Sequence, residues 1–494
     1  MKSYKTFLFI LSLAVGLVAL ACFFPSEGIY INKVRMEFPS MSQVLKCGAE
    51  PEPEPVDDEE PEPELTPEEL MEQRMAALHA SRDSEFVAAI SGNRARFYLP
   101  DDDVSYFDTL FSKLEQAERH PVRIMHFGDS QLEGDRMTGV LREWFQDTFS
   151  GRGPGLVPAM QTLGSATVTV TTQPELPYYM GFGSPELRAD HNRYGPLSQM
   201  AVVTDSALFT VAAHGGSTYP HCRSFRRVSA LVSGEGRLSI QLEDNEIEMT
   251  SPHDSTYQGF RICSASLPSA MSRVSVRARG NMEVYGLMAD GSGGVSVDNI
   301  AMRGASGSHF SSLDRATFAP FFQSQDVALI ILQYGGNSIP YLRDAERISG
   351  YKRQIKSQIS YLRRLSPQST ILFIGPTDMA TAEGDEMQTY PQLPQTVDSL
   401  RAAALESGAA FWDMFRVMGG RGSMARWVEV GLAGEDYIHF SLSGSRKMSE
   451  LLCQTFDFYY RYYRFRNALD QEELTEDTLT NDTTRKTDPV SAAL

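Results

Sequence analysis

Hydrophobic positions along the chain change texture four times. The first texture is an apolar run from Phe7 to Phe24, broken only by Ser12. The second starts after a polar stretch, where Tyr106, Leu110, Leu114 and Ala117 recur at helical spacing and predict an amphipathic helix over 103–119. Val122 to Phe127 then reads as a buried strand running into Gly128-Asp129-Ser130, and 134–149 as the helix that follows. From about 166 to 290 the period drops to two, in Val168/Val170, Leu238/Ile240/Leu242, Val274/Val276 and Met282/Val284. Short alternating runs punctuated by Gly, Ser, Asn and Asp predict a β-sandwich. After Asp290 long apolar runs and helical spacing return. Val327 to Gln333 reads as a central parallel strand, 348–365 as a helix, and 370–375 as the next strand. A helix within 394–407, a short strand at 409–412 and a closing helix over 443–464 complete the pattern.

The alternation predicts a doubly wound three-layer α/β/α domain with a parallel sheet, interrupted by an inserted β-sandwich module. The expected organisation is an N-terminal signal anchor over 1–24 and a Pro/Glu-rich linker over 25–75. The α/β domain follows in two parts, 76–165 and 291–466, around an insert at 166–290. A disordered tail over 467–494 ends the chain. Ordered structure is expected from about Thr66 or a little later.

Charge refines this outline. The net charge is −18, but many acidic residues sit in Glu50–Glu69 and in the tail after Asp470. The Pro-Glu repeat from Pro51 to Glu64 reads as an extended, self-repelling spacer. No basic stripe runs along the chain, which argues against a nucleic-acid partner. Lys2 and Lys5 precede the apolar run, so the N-terminus is expected in the cytoplasm and the remainder exported. An uncleaved anchor is the preferred reading, ahead of a lipoprotein cleaved before Cys22 or an ordinary cleaved signal. Of the five cysteines, Cys222 and Cys263 share one region, and their spacing does not decide between a disulfide and two free thiols. No Cys/His spacing fits a metal site, and no cofactor is expected.

Four segments carry candidate chemistry. Ser130 ends a predicted parallel strand, where open α/β sheets place their sites, although a capping serine at an ordinary turn fits equally well. Gly307, in Gly304-Ala-Ser-Gly307, can bring a backbone N–H against a reacting carbonyl; by itself it reads as a plain loop. Asn337 follows the strongest strand in Tyr334-Gly-Gly-Asn337 and can aim an amide N–H at a developing oxyanion, or simply form a turn. In Asp436-Tyr-Ile-His439 a carboxylate can hold an imidazole that takes a proton from a serine. Asp129 and Asp135 read as turn and helix-start residues, and His126 as a buried, satisfied core group. Trp427 is a candidate sugar-stacking residue, equally readable as packing.

In this order, and each at a strand end or before a helix, the four segments make the chain resemble the SGNH (GDSL-type) hydrolase family. Its blocks match Ser130, Gly307, Asn337 and His439. The resemblance covers 122–164 and 290–464. Gln131 departs from the family's usual Leu, and Ser338 stands where the family often has Asp. The resemblance implies a catalytic triad of Ser130, Asp436 and His439, with an oxyanion hole from Ser130, Gly307 and Asn337. A β module between the first two blocks, together with Gly128-Asp-Ser-Gln-Leu-Glu-Gly-Asp135 and Gly151-Arg-Gly-Pro-Gly-Leu-Val157, resembles the peptidoglycan O-acetylesterase branch. That branch implies a carbohydrate-binding-like insert and a serine esterase acting on an acylated, exported polysaccharide. It also implies a periplasmic domain anchored in the inner membrane, with a membrane-bound O-acyltransferase as a partner consistent with it. Two alternatives stay open: a polysaccharide O-acetyltransferase using the same triad, and an inactive glycan-binding scaffold.

Overall fold

The computed structural model describes residues 2–25, 29–31, 34–36, 38–41, 77, 80–81, 83–89 and 92–483, apart from 244, 252–259 and 385. The Pro-Glu spacer and the start of order expected near Thr66 lie outside the described residues. So do 484–494, the end of the expected tail.

The chain divides into two units, Met1–Leu78 and His79–Leu494. In the first, Lys2–Phe23 form one helix of 22 residues. Large apolar side chains on it, Phe7, Ile10 and Val15 among them, are exposed. Ile29–Ile31 pairs antiparallel with Val34–Met36. Among the described residues no helix is long and apolar enough to cross a membrane. The expected anchor therefore rests on the sequence alone.

The second unit is built on a six-stranded sheet. Its strands in chain order are β1 (Phe97–Tyr98), β2 (Val122–Gly128), β3 (Val295–Ala301), β4 (Val327–Gln333), β5 (Thr370–Ile374) and β6 (Ala410–Trp412). They lie in the spatial order β3-β2-β4-β5-β6-β1. The first five in that order run parallel, and β1 pairs antiparallel at the edge beside β6. Every residue of β2 and β4 is buried, because helices cover both faces. Ile124, Leu329, Ile331 and Leu372 point into one core, with residues of the helices Asp108–Glu115, Thr138–Thr148 and the start of the closing helix. Met125, Phe127, Ile330 and Phe373 point into the other, against Arg315–Ser324, Ala345–Leu365 and Leu393–Leu405. The result is the expected α/β/α layering. The closing helix, Leu442–Thr483, runs well beyond the expected end at 464 and into the stretch read as disordered.

The β module is the expected antiparallel insert. Its strands make one nine-stranded, antiparallel hydrogen-bonded sheet. The two longest strands, Phe225–Gln241 and Arg273–Asp290, pair along most of their length. The apolar positions of alternating period, including Val170, Ile240, Val276 and Val284, form this module's own core. The sheet also begins earlier than 166, since Gly155–Val157 pairs with Leu287–Ala289.

Glycine explains that junction. A Cβ on Gly151 would meet the Val295 carbonyl at 2.4 Å, and one on Gly153 the Ala289 carbonyl at 2.1 Å, so only glycine lets the chain leave the α/β domain between these strands. Beside it Arg123 of β2 is buried between Asp290 of the module (2.5 Å) and Asp298 of β3 (2.6 Å). Asp298 also accepts from the Leu156 amide at 2.8 Å. Cys222 and Cys263 are both buried and both free, so the two do not bridge.

Candidate active site

Ser130, Gly307 and Asn337 follow the ends of parallel strands, and Asp436 and His439 lie in the loop before the closing helix. β2 ends at Gly128, where a Cβ would meet the Leu132 side chain at 2.6 Å and the Gln333 carbonyl at 3.1 Å. The chain turns there, and Asp129 caps a 3₁₀ segment, Ser130–Asp135, by accepting from the Gln131 amide. Ser130 is thereby raised at the carboxyl edge of the sheet. β4 ends at Gln333, and the 3₁₀ turn Gly336–Tyr341 presents Asn337. The loop before the closing helix presents His439.

These three segments converge. Ser130 Oγ lies 2.7 Å from His439 Nε2. His439 Nδ1 lies 2.7 Å from Asp436 Oδ2. Asp436 Oδ1 also accepts from the amides of Ile438 and His439, both at 3.0 Å, and this closes the loop into a turn around the imidazole. Burial pushes the Asp436 carboxyl up, but these hydrogen bonds outweigh it and hold it below its usual value. With Nδ1–H donating to Asp436, Nε2 is left free to accept from the Ser130 hydroxyl.

Gly307 has φ +76°, and a Cβ there would strike the Tyr334 ring at 2.7 Å. No backbone acceptor among the described residues takes the N–H of Ser130 or Gly307. Asn337 Nδ2 donates to the Ala305 carbonyl at 3.0 Å and to Asp129 Oδ2 at 3.2 Å. Two acceptors on one side fix which end of the amide is nitrogen. Donation to an oxyanion therefore requires a shared, three-centre hydrogen.

A cavity of about 210 Å³ opens at this point. Ser130, His439 and Asn337 line it, with Tyr334, Met379 and Tyr341 among its other walls. A smaller cavity of about 120 Å³ lies between Glu133–Asp135 and Gln161–Val168 of the module, and contains neither Ser130 nor His439.

Several residues have roles that the sequence did not reveal. Gln131 Nε2 donates to the Ile438 carbonyl at 2.8 Å, and its Oε1 accepts from the Phe440 amide at 3.3 Å. Arg136 donates to the Ser130 carbonyl at 3.0 Å and to the Phe440 carbonyl at 3.3 Å. Together they tie the serine turn to the histidine loop across more than 300 residues of sequence. Asp129 is more than a turn residue. It is 5% exposed, and burial pushes its carboxyl up to about 6 while it orients Asn337. Asp135 is not a helix-start residue: its buried carboxylate accepts from Arg142 at 2.5 Å and from the Thr167 hydroxyl of the module at 2.6 Å. His126 is buried between Gln333 and Thr138, and burial lowers its pKa to about 3, so it stays neutral.

Trp427 requires a correction. It is 9% exposed, packs against Phe440 and donates Nε1–H to the Met418 carbonyl at 3.2 Å. Its ring is part of the core and offers no face to a sugar.

No family model matches this chain, and no curated protein matches it. Solved structures do. A peptidoglycan O-acetylesterase superposes over 73% of this chain and 98% of its own, with a TM-score of 0.60 at 20% identity. The fold is that of an SGNH hydrolase. An acetylxylan esterase from Geobacillus stearothermophilus (16% identity, TM-score 0.24) covers 34% of this chain and 73% of its own. A protein described as a GDSL-like lipase from Parabacteroides merdae (13%, TM-score 0.26) covers 33% and 74%.

Proposed function

We propose that this SGNH-fold protein is a serine esterase that removes O-acyl groups, acetyl foremost, from an exported polysaccharide such as peptidoglycan. The observation that carries the proposal is the Ser130–His439–Asp436 chain, both links 2.7 Å, at the mouth of a cavity. The likeness in fold to a protein named for peptidoglycan O-acetyl groups supports the choice of substrate.

In this mechanism Ser130 Oγ attacks the ester carbonyl carbon as His439 Nε2 takes its proton. The carbonyl oxygen becomes an oxyanion, met by the N–H groups of Ser130 and Gly307 and by the shared Asn337 hydrogen. Asp436 fixes the imidazole tautomer and stabilises the imidazolium. The sugar alkoxide leaves with the proton from His439, and the acyl group stays on Ser130. Water, deprotonated by the same imidazole, then cleaves the acyl-serine and releases the carboxylic acid. A sugar hydroxyl in place of water would make the protein an O-acetyltransferase, and product analysis with an acetyl donor and a glycan separates the two reactions.

Placement outside the cytoplasm, held by the apolar helix behind Lys2 and Lys5, belongs to the same proposal. Fractionation tests it: the full chain should sediment with membranes and should lose that association when residues 1–24 are deleted. Labelling by a fluorophosphonate probe tests the nucleophile. The expected outcome is a single adduct on Ser130, absent in Ser130→Ala. An unlabelled, folded protein would leave an inert scaffold as the better reading.

A further inference from the structure

Among the described residues of the second unit, aromatic side chains are buried or half-buried with one exception. Among the described residues of His79–Leu494, Tyr341 is the only aromatic side chain with a large exposed surface, 68%. It stands at the lip of the cavity that contains Ser130, His439 and Asn337. Leaving a ring in water forgoes the stabilisation that burial would bring, so an exposed ring at the mouth of a site points to a ligand.

The backbone beneath the ring is held still. Ile339 is fully buried, and its carbonyl accepts from Gln392 Nε2 at 2.7 Å. The Leu342 amide returns to the same carbonyl at 3.2 Å. The Tyr341 carbonyl accepts from Arg347 at 3.3 Å. Pro340 fixes one more backbone angle. The ring is therefore presented from a rigid turn, four residues after Asn337, and a ligand stacked on it pays little to order the protein.

The structure assigns Tyr341 as a stacking platform for the pyranose ring that carries the scissile ester. This deepens the esterase reading and rests on it. A pyranose has one face of C–H groups, which packs on an aromatic ring while its hydroxyls stay in water. The ring at the lip would hold the sugar outside the cavity, and the short acyl group would enter toward Ser130. Tyr341 thus acts on binding of the sugar and leaves the chemical steps to the triad.

The test compares the full chain with Tyr341→Ala and Tyr341→Phe on three esters: O-acetylated chitotriose, 4-nitrophenyl acetate and 4-nitrophenyl octanoate. In Tyr341→Ala, KM for the trisaccharide should rise about two- to tenfold, with kcat unchanged on all three esters. Tyr341→Phe, which keeps the ring, should restore the wild-type KM. An unchanged trisaccharide KM in Tyr341→Ala would overturn the assignment. So would a loss of kcat on 4-nitrophenyl acetate, which would move the residue into the catalytic machinery. A loss confined to the octanoate would make the ring a grip for an acyl chain instead. Wild type that cleaves 4-nitrophenyl acetate but not the trisaccharide would overturn the glycan reading, and this assignment with it.

Discussion

Asp129→Asn should separate stability from activity. Asp129 is buried beside Ser130, and burial raises its carboxyl from 3.8 to about 6. An acid whose folded-state pKa is raised binds its proton more tightly in the native state, so stability falls as pH rises between the two values, and the full cost is present above about 6. With those values the wild type should lose roughly 1.4 kcal/mol between pH 5 and pH 8 from this group alone. The amide variant carries no charge and should lack that slope. Its Oδ1 can still accept from the Gln131 amide, but its N–H₂ then faces the N–H₂ of Asn337, which now donates to Asp129 Oδ2. Two donors in contact drive Asn337 to turn, and the oxyanion loses a donor. Turnover should fall on the order of 10²–10³-fold. The assay pairs urea unfolding at pH 5 and pH 8 with kcat on 4-nitrophenyl acetate. If variant and wild type shift equally between the two pH values, Asp129 does not carry a buried charge. If the variant turns over at the wild-type rate, Asp129 does not orient Asn337.

Asn337→Ala removes the donor itself and should also cost on the order of 10²–10³ in kcat, with Ser130 still labelled by a fluorophosphonate. Gln131→Leu cuts both hydrogen bonds to the Ile438–Phe440 segment. It should lower kcat/KM about ten- to a hundredfold by letting His439 drift, while the melting temperature changes little. Arg123→Met leaves Asp290 and Asp298 buried without their cation. It should cost about 3–5 kcal/mol of stability, read by thermal unfolding, because it strands charge where the β module joins the sheet.

The parts legible in the sequence are those governed by short-range pattern. Val327–Gln333 is buried on both faces and reads as an apolar run closed by Gln333, while Val122–Gly128, equally buried, reads as a strand despite Arg123 and His126 within it. Asp436 and His439 are three residues apart and meet within one loop, so their pairing was visible in the spacing. The Gly151–Val157 stretch was legible through the resemblance it carries, and the close approach to Val295 and Ala289 explains Gly151 and Gly153.

What escaped depends on contacts made only after folding. Gln131 and Arg136 act on a loop more than 300 residues away, and nothing near them in the chain signals it. Asp129 resembles any turn aspartate until its burial and its bond to Asn337 are known. The two tryptophan readings were open in sequence, and burial against Phe440 decided for packing. Exposure is not a property of local sequence, so nothing in the chain around Tyr341 marks it. The β module shows its alternation in sequence, yet alternation does not fix which strands pair with which.

The central claim is that Ser130 cleaves acetyl esters on a polysaccharide. Acetate release from O-acetylated peptidoglycan, by the protein and by Ser130→Ala side by side, tests it most directly. Release by the wild type that vanishes in the variant is the predicted result. Equal release from both would contradict the assignment of the nucleophile, and no release from a wild type that the probe still labels would contradict the substrate.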